Sequence, residues 1–358
     1  MADAMSVQPI GSGAASLPAI PLVDLGGDGP VALPQRLPEY LGRLLDACQR
    51  HYGRLPLAIG DRVTSHWLEL RRNPYRDEIA AIARQVGRVG AVMLNLSYEW
   101  ACSTGVAADP ERPGNRMLRT LDWPTAGLGA NLVVTVQQAE AGTYYNITWP
   151  GFAGVLTAMA PGRFSAAINQ PPLNLYTPVM RVDWAIGRAR IWRRDGLPPV
   201  HLLRQVFERC RTYDEAKAML SEAPLCAPAF FTLSGVSDGE GCVIERTEDA
   251  SRLHEAPATI TNHWLDFSIP GHDRGKQTEA RRACMQGLVA SAADDFSWLV
   301  EPILNPTTRV AAVANAAAGY LHVQGWEADG PATRPLIVGA AVDDAAGSSR
   351  HAAEAGQL

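Results

Sequence analysis

Asn95-Leu96-Ser97-Tyr98-Glu99-Trp100-Ala101-Cys102-Ser103-Thr104-Gly105-Val106-Ala107-Ala108-Asp109 marks a change of character in the chain. Before it, apolar residues recur at helical spacing. Leu41, Leu44, Leu45 and Cys48 do so within residues 38–52, and Ile79, Ile82, Ala83 and Val86 after Asn73-Pro74. The first hundred residues are therefore expected to be mostly helical. After the junction, β-rich segments take over. Residues 131–139 (NLVVTVQQA) and 143–149 (TYYNITW), joined by a turn containing Ala141-Gly142, read as a hairpin, and residues 164–169 as another short strand. Cys102 sits where the helical part gives way. An apolar cysteine in such a place is ordinarily a core residue; a nucleophile is the alternative.

Further along, residues 201–211 place Leu203, Val206, Phe207 and Cys210 on one helical face. Thr212-Tyr213-Asp214-Glu215 is a capping box that opens the next helix. Strands are expected at 229–235, 242–246 and 258–264, a helix at 279–290, and strands at 309–315 and 319–324. Helices, strands, helices, strands in that order suit an α+β protein with helix-covered sheets, not an alternating parallel βαβ fold. Residues 1–34 are rich in Gly, Ala, Pro and Ser without period and are expected to form a flexible arm. Residues 343–358 are expected to form a flexible tail.

The 358 residues allow two domains or one large one. Apolar residues make up 47% and charged residues 19%, enough for a packed core and unlike a disordered chain. Net charge is −5 and no long basic run occurs, which argues against nucleic acid as a partner. Lys217 and Lys276 are the only lysines, the mark of GC-rich bacterial coding, and they leave few candidates for a Schiff base. No apolar run approaches the roughly 18–20 residues of a membrane helix, and residues 1–18 lack a secretory pattern, so no integral membrane segment and a cytoplasmic address are expected. The six cysteines include no C-x-x-C and no Cys/His cluster at zinc spacing; free thiols, no metal and no cofactor are expected. Gly127-Leu128-Gly129 lacks the third glycine of a nucleotide loop, and no G-x-S-x-G elbow occurs. His263 reads as a structural histidine.

The Cys102 junction resembles that of the acid ceramidase and N-acylethanolamine acid amidase family of N-terminal-nucleophile (Ntn) hydrolases, where a Tyr-Glu precedes a Cys-Thr-Ser type start. Arg119-Thr120-Leu121-Asp122-Trp123 is similar to the family's Arg-x-x-Asp-aromatic strand. The segments Trp149-Pro150-Gly151-Phe152 and Leu156-Thr157-Ala158 resemble its Phe-x-Gly and Leu-Thr-Gly blocks. Ala227-Pro228-Ala229-Phe230-Phe231, Gly239-Glu240-Gly241-Cys242 and Thr261-Asn262-His263-Trp264 follow in the family's order, and Arg281-Arg282 corresponds to a later Arg pair. The likeness runs from residue 73 to 325. Two features depart from it. The cysteines do not follow the disulfide pattern of the secreted animal members, and the loop after Cys102, with Pro110 and Pro113, is slightly longer.

The resemblance implies a four-layer αββα Ntn sandwich. A helical segment 35–101 would be released by self-cleavage from a subunit of residues 102–342, and the two chains would stay associated. The Cys102 thiol would attack the Ala101 carbonyl, and water would hydrolyse the thioester. The new α-amine, with a reference pKa of about 7.7–8.0, would then serve as the base for its own thiol. Arg119 would favour the thiolate, its alternative being a structural salt bridge to Asp122. Asp122 would orient the α-amine or Arg119. The Asn262 amide and the backbone N–H of Gln170, standing in Ile168-Asn169-Gln170 for the family's Asn-Glu, would be the oxyanion donors. Arg281 would complete the site, with Arg282 or Arg274 as alternatives. The implied activity is hydrolysis of a linear amide between a hydrophobic acyl chain and an amine, ceramide- or N-acylethanolamine-like. An acyltransferase of the penicillin-acyltransferase type and an uncleaved lipid-amide binder are the other readings. Trp123, Trp149 and Phe152 stand close in sequence to such a site.

Overall fold

A computed structural model describes residues 17–96 and 100–339. Tyr98-Glu99 of the junction, residues 1–16 of the arm and the tail 343–358 lie outside the described residues. The N-terminal part carries strand β1 (Leu22–Gly26) and helices α1 (Leu33–Arg36), α2 (Pro38–Tyr52), α3 (Arg54–Leu70) and α4 (Arg76–Val86). Strands β2 (Ala101–Ala108), β3 (Asn115–Asp122), β4 (Val133–Ala139), β5 (Gly142–Thr148), β6 (Thr157–Ala160), β7 (Phe164–Asn169) and β8 (Leu173–Asn174) follow. Then come α5 (Met180–Arg193), α6 (Pro199–Arg209), α7 (Tyr213–Glu222), β9 (Ala229–Gly235), β10 (Gly241–Arg246), β11 (Ser251–Glu255), β12 (Ala258–Ile260) and β13 (Gly271–His272). The chain continues through α8 (Thr278–Leu288), β14 (Thr308–Asn315), β15 (Tyr320–Glu327), β16 (Gly330–Pro331) and β17 (Leu336–Val338).

Two large sheets form. One runs β1-β4-β5-β6-β7-β9-β10-β11; the other runs β12-β2-β3-β14-β15-β16, with β17 beside β15. Among the described residues the only parallel pairing in the first is β1 with β4. Strands β2 and β3 pack face to face on β7 and β9; α6 and α7 cover the outer face of the first sheet and α8 that of the second. This is the expected helix–sheet–sheet–helix order. Residues of β2, β3, β7, β9 and β14 are buried almost throughout, because each strand is covered on both faces. Strands of that kind lack alternation, so the sequence marks them by β-branched and small apolar content instead.

Three expectations need correction. Part of the presumed arm is built into the fold: β1 lines up on β4, and Leu25 and Leu33, each 1% exposed, pack with Val133. A five-residue strand with one buried apolar side chain among glycines shows no period. The strand expected over 258–264 stops at Ile260, and β11 was not anticipated; it pairs with β10 while most of its side chains face solvent. Helix α5 was also missed. It has no apolar face, and its buried residue is Asp183, which accepts hydrogen bonds from the Tyr176 and Thr177 N–H groups.

The Thr212 cap forms, with Glu215 N–H donating to Thr212 Oγ1 at 3.2 Å, but the Glu215 carboxylate reaches back to the Arg211 N–H, one residue beyond the usual box. Gly129 is a packing glycine: a Cβ there would fall 1.9 Å from the Trp326 carbonyl oxygen.

His201, on α6, is fully buried and its Nδ1 accepts from Asn73 Nδ2 at 2.9 Å. Burial, with the nearby Arg204 charge, pushes its pKa down to about 3. The neutral ring is favoured in the folded state, so its contribution is complete above about pH 6.5 and is lost as pH falls from there towards 3. Each pH unit in that window costs about 1.4 kcal/mol. Unfolding free energies from denaturant titrations at about pH 7 and 4.5 should differ by roughly 3 kcal/mol less in His201→Gln than in wild type. Equal differences would show that His201 is not held neutral.

Candidate active site

Strand alternation decides which side chains meet. In the β2–β3 pairing, Ala101 lies opposite Asp122, Cys102 opposite Leu121 and Thr104 opposite Arg119. Opposed residues of an antiparallel pair share a face and neighbours along a strand alternate. Cys102, Thr104 and Arg119 therefore face inward to the first sheet, while Ala101, Ser103 and Asp122 face outward to α8.

The contacts follow this division. On the inner face, Cys102 Sγ lies 3.8 Å from the Ile168 carbonyl oxygen on β7. Arg119 Nη2 donates to the same oxygen at 2.8 Å, and Nη1 donates to Thr104 Oγ1 at 2.9 Å and Asn169 Oδ1 at 2.5 Å. The alternative salt bridge from Arg119 to Asp122 does not form: residues three apart on one strand point to opposite faces. On the outer face the ion partner of Asp122 is Arg281, with Nη1 at 3.6 Å from Asp122 Oδ2. Thr308 Oγ1 donates to Asp122 Oδ1 at 2.9 Å, and among the described residues Oδ2 accepts no hydrogen bond.

Asn262 and Arg281 close on the backbone of Cys102 itself. Cys102 N–H donates to Asn262 Oδ1 at 2.9 Å, and Arg281 Nη2 donates to the same oxygen at 2.9 Å. Asn262 Nδ2 donates to the Gln170 carbonyl at 2.8 Å. Two donors on one side and a carbonyl on the other fix the orientation of this amide. One of its two N–H donors is thereby committed to Gln170 and the second is not. Arg281 Nη1 donates to the Cys102 carbonyl at 2.6 Å and to Ser103 Oγ at 3.0 Å. Arg281 is 1% exposed although it lies on a helix, which places it in the cluster. Arg282 binds the Thr259 carbonyl and Arg274 the Pro171 carbonyl instead. All six expected residues, Cys102, Arg119, Asp122, Gln170, Asn262 and Arg281, thus meet at the start of β2. Thr104, Asn169, Ser103 and Thr308, which hold Arg119, Arg281 and Asp122, were not anticipated. Thr104 was findable, since it stands two residues along the strand from Cys102 on the same face.

Burial pushes the Cys102 thiol up to about 12, with the Arg119 and Arg281 charges pulling it down and Asp122 adding to the rise. Burial also raises Asp122 above the usual carboxylate range, opposed chiefly by Arg281 and the Thr308 hydrogen bond. Arg119 therefore favours the thiolate but is outweighed by burial. Iodoacetamide should leave Cys102 unmodified in uncut chain up to about pH 9, as read by peptide mass. Labelling with a midpoint near the ordinary thiol value of about 8.5 would show an exposed thiol instead.

A cavity of about 1120 Å³ adjoins the outer face and is lined by Trp100, Ala101, Asp122 and the loop of residues 273–277. Trp100, Trp123 and Trp149 form a chain of rings with centroids 5.2 and 6.1 Å apart. Among the described residues Glu245, His254 and Asp266 come close enough to share an ion. The Glu245 oxygens, however, already accept from the Leu265 and Asp266 N–H groups and face His254, so this cluster ties a loop.

No family model matches the chain. In sequence it is 28% identical to the acid ceramidase of Heterocephalus glaber over 202 residues, 51% of this chain and 50% of that protein. It is 26% identical to a probable acid ceramidase of Caenorhabditis elegans over 283 residues, 70% of this chain and 69% of that one. The chain spans about half the length of most of the curated relatives it matches first. Among solved structures, the Caenorhabditis elegans N-acylethanolamine-hydrolyzing acid amidase ortholog overlays with a TM-score of 0.49 at 21% identity, covering 66% of this chain and 100% of that one. In sequence, then, the chain is similar to acid ceramidases over half to 70% of its length.

Proposed function

We propose that the chain is a self-processing N-terminal-cysteine amidase that hydrolyses a linear amide between a hydrophobic acyl chain and an amine. The observation that carries this is the grip on the main chain of one residue: Asn262 Oδ1 accepts the Cys102 N–H, Arg281 donates to the Cys102 carbonyl, and the bare Asp122 Oδ2 lies beside them. In self-cleavage Sγ adds to the Ala101 carbonyl, the Ala101–Cys102 C–N bond breaks, and the nitrogen takes the thiol proton to become the α-amine. Water then hydrolyses the thioester, freeing the Ala101 carboxylate and restoring the thiol. Asp122 Oδ2, across the ladder from Ala101, accepts a hydrogen bond from the new amine.

In turnover the α-amine takes the thiol proton and Sγ attacks the substrate carbonyl. The oxyanion is met by the second Asn262 N–H and the Gln170 backbone N–H. The amine product leaves with a proton, and water releases the acid from the thioester. Cleavage also opens the buried thiol to water, and the amine, once it has taken the proton, lies beside the thiolate as a cation; both lower the thiol pKa from the resting value. The cut chains stay together because Leu44 of α2 and the α3–α4 apolar faces belong to the packed core. Among the described residues no helix is long and apolar enough to cross a membrane. Six free thiols fit a reducing compartment such as the cytoplasm.

Intact mass spectrometry of purified chain, followed by turnover of N-acyl amides, tests the reading. Two fragments meeting at Ala101/Cys102 with release of free amine support it. An intact chain without turnover favours a lipid-amide binder, and acyl transfer to an added amine in place of water favours a transferase.

A further inference from the structure

We propose that Thr278, at the start of α8, is the positioning residue that aims the Asn262 amide at the oxyanion. This rests on the amidase reading and deepens it by naming what sets the donor. The far end of the Asn262 side chain is held by the Cys102 N–H and Arg281 at Oδ1 and by the Gln170 carbonyl at Nδ2. Its second N–H points in one direction only when the main-chain end is fixed as well. A hydroxyl holds that end: Asn262 N–H donates to Thr278 Oγ1 at 3.0 Å. Thr278 and Arg281 stand three residues apart on α8 and so share a face. One turn of helix thus grips Asn262 at both ends, through Thr278 at the main chain and Arg281 at Oδ1.

The hydroxyl is itself oriented by its neighbours. Thr261 Oγ1 donates to the Thr278 carbonyl at 2.9 Å, which commits its single proton. Thr278 Oγ1 lies 2.9 Å from Thr261 Oγ1 and 3.1 Å from His263 Nδ1, and its own proton goes to one of these. Either choice leaves a lone pair for the Asn262 N–H. Asn262 is fully buried, so loss of this acceptor leaves its N–H without a ready substitute. Threonine at a helix start ordinarily caps the helix, its hydroxyl accepting a helix N–H. Here Thr278 is the first helical residue, the cap position falls to Gln277, and the Gln277 side chain makes no capping bond. Gln277 stands at φ +51°, a left-handed conformation that disfavours a residue with a Cβ. The same turn leaves the Lys276 carbonyl to accept from Arg281 Nε at 2.9 Å. A forgone cap and a strained turn are tolerated where they seat both contacts on Asn262.

The test compares self-cleaved wild type, Thr278→Ser and Thr278→Val, with N-decanoylethanolamine below its micelle concentration as the probe and kcat taken per cut chain. Serine keeps the hydroxyl; valine replaces it with a methyl of similar shape. Thr278→Ser should stay within about threefold of wild type in kcat. Thr278→Val should lose about tenfold or more in kcat with KM little changed, a share of the 100- to 1000-fold that an oxyanion donor typically supplies. A merely structural hydroxyl would lower the thermal midpoint of Thr278→Val and leave kcat per cut chain alone. That result overturns the inference, as does a loss that falls on KM or one that serine shares. A valine chain that folds but stays uncut, beside a serine chain that cuts itself, supports it, because the hydroxyl is then needed for the chemistry at Cys102. Where valine prevents folding, Thr278→Ala is held to the same ratio against serine. Cut wild type that turns over no N-acyl amide at all sinks the amidase reading and this inference with it, whereas active wild type with an equally active valine variant sinks this inference alone.

Discussion

Cys102→Ala is expected to remain one chain of 358 residues with no measurable amide hydrolysis, where wild type resolves into chains 1–101 and 102–358. The substitution removes the sulfur proposed to attack. Sγ lies on the inner face beside Arg119, and among the described residues the other five cysteines do not enter the cluster. A side chain that forms the covalent intermediate acts as a unit with its base, so its loss costs roughly 10⁴-fold or more in turnover. The fold should survive. Cys102 is fully buried, but removing one sulfur from a packed strand costs on the order of 1–2 kcal/mol, within what a domain of this size withstands. Intact mass and amine release read the two consequences separately. An alanine variant that still cuts at residue 101 would assign the scission to another nucleophile or to a contaminating protease. A variant that stays whole yet turns over amide would remove Cys102 from the chemistry altogether.

What the sequence made legible follows from how each element is buried. Helices with one apolar stripe, such as α2 and α6, were found close to their true bounds, because burial on one face writes a period of 3.6 into the residues. The β4–β5 hairpin was found because its strands are β-rich and joined by a tight turn. Helix α5 escaped because it is held by its ends and by a buried aspartate, so no apolar stripe was required. β1 escaped because main-chain pairing with β4 holds it. In the candidate site, residue types and family order picked six residues that lie together, but not how they divide. That division depends on register: the three-residue offset from Arg119 to Asp122 puts one beside the thiol and the other beside the main chain and Arg281. Arg281 itself could not be told from Arg282 or Arg274 by type alone, since only the docking of α8 on β2 and β12 turns one of the three into the cluster. The raised thiol pKa was equally illegible, because it arises from burial of an uncut bond between two sheets.

Asn262→Asp should lose about 100- to 1000-fold in kcat/KM with KM little changed, and should cut itself slowly or not at all. Two tasks meet in this amide. Oδ1 organises the Cys102 N–H and Arg281, while Nδ2 is the side's only donor toward a developing oxyanion. Alanine removes both tasks and strands a buried N–H, a guanidinium donor and the Gln170 carbonyl, each at about 1–3 kcal/mol. A damaged Asn262→Ala would therefore not say which task mattered. Aspartate keeps an acceptor for the Cys102 N–H and Arg281, and of the framework it gives up only the donor to the Gln170 carbonyl. It removes the N–H donors and sets a negative charge where the oxyanion forms, so the transition state suffers more than the bound substrate. Thermal unfolding of Asn262→Asp close to that of uncut Cys102→Ala, together with the kinetic loss, would place Asn262 in the oxyanion hole. A loss under about threefold is too small for such a donor and would leave the Gln170 backbone N–H and Arg281 to carry the charge. A severe loss of thermal stability in the aspartate variant would show that the amide's main task is to hold Gln170 against the start of β2.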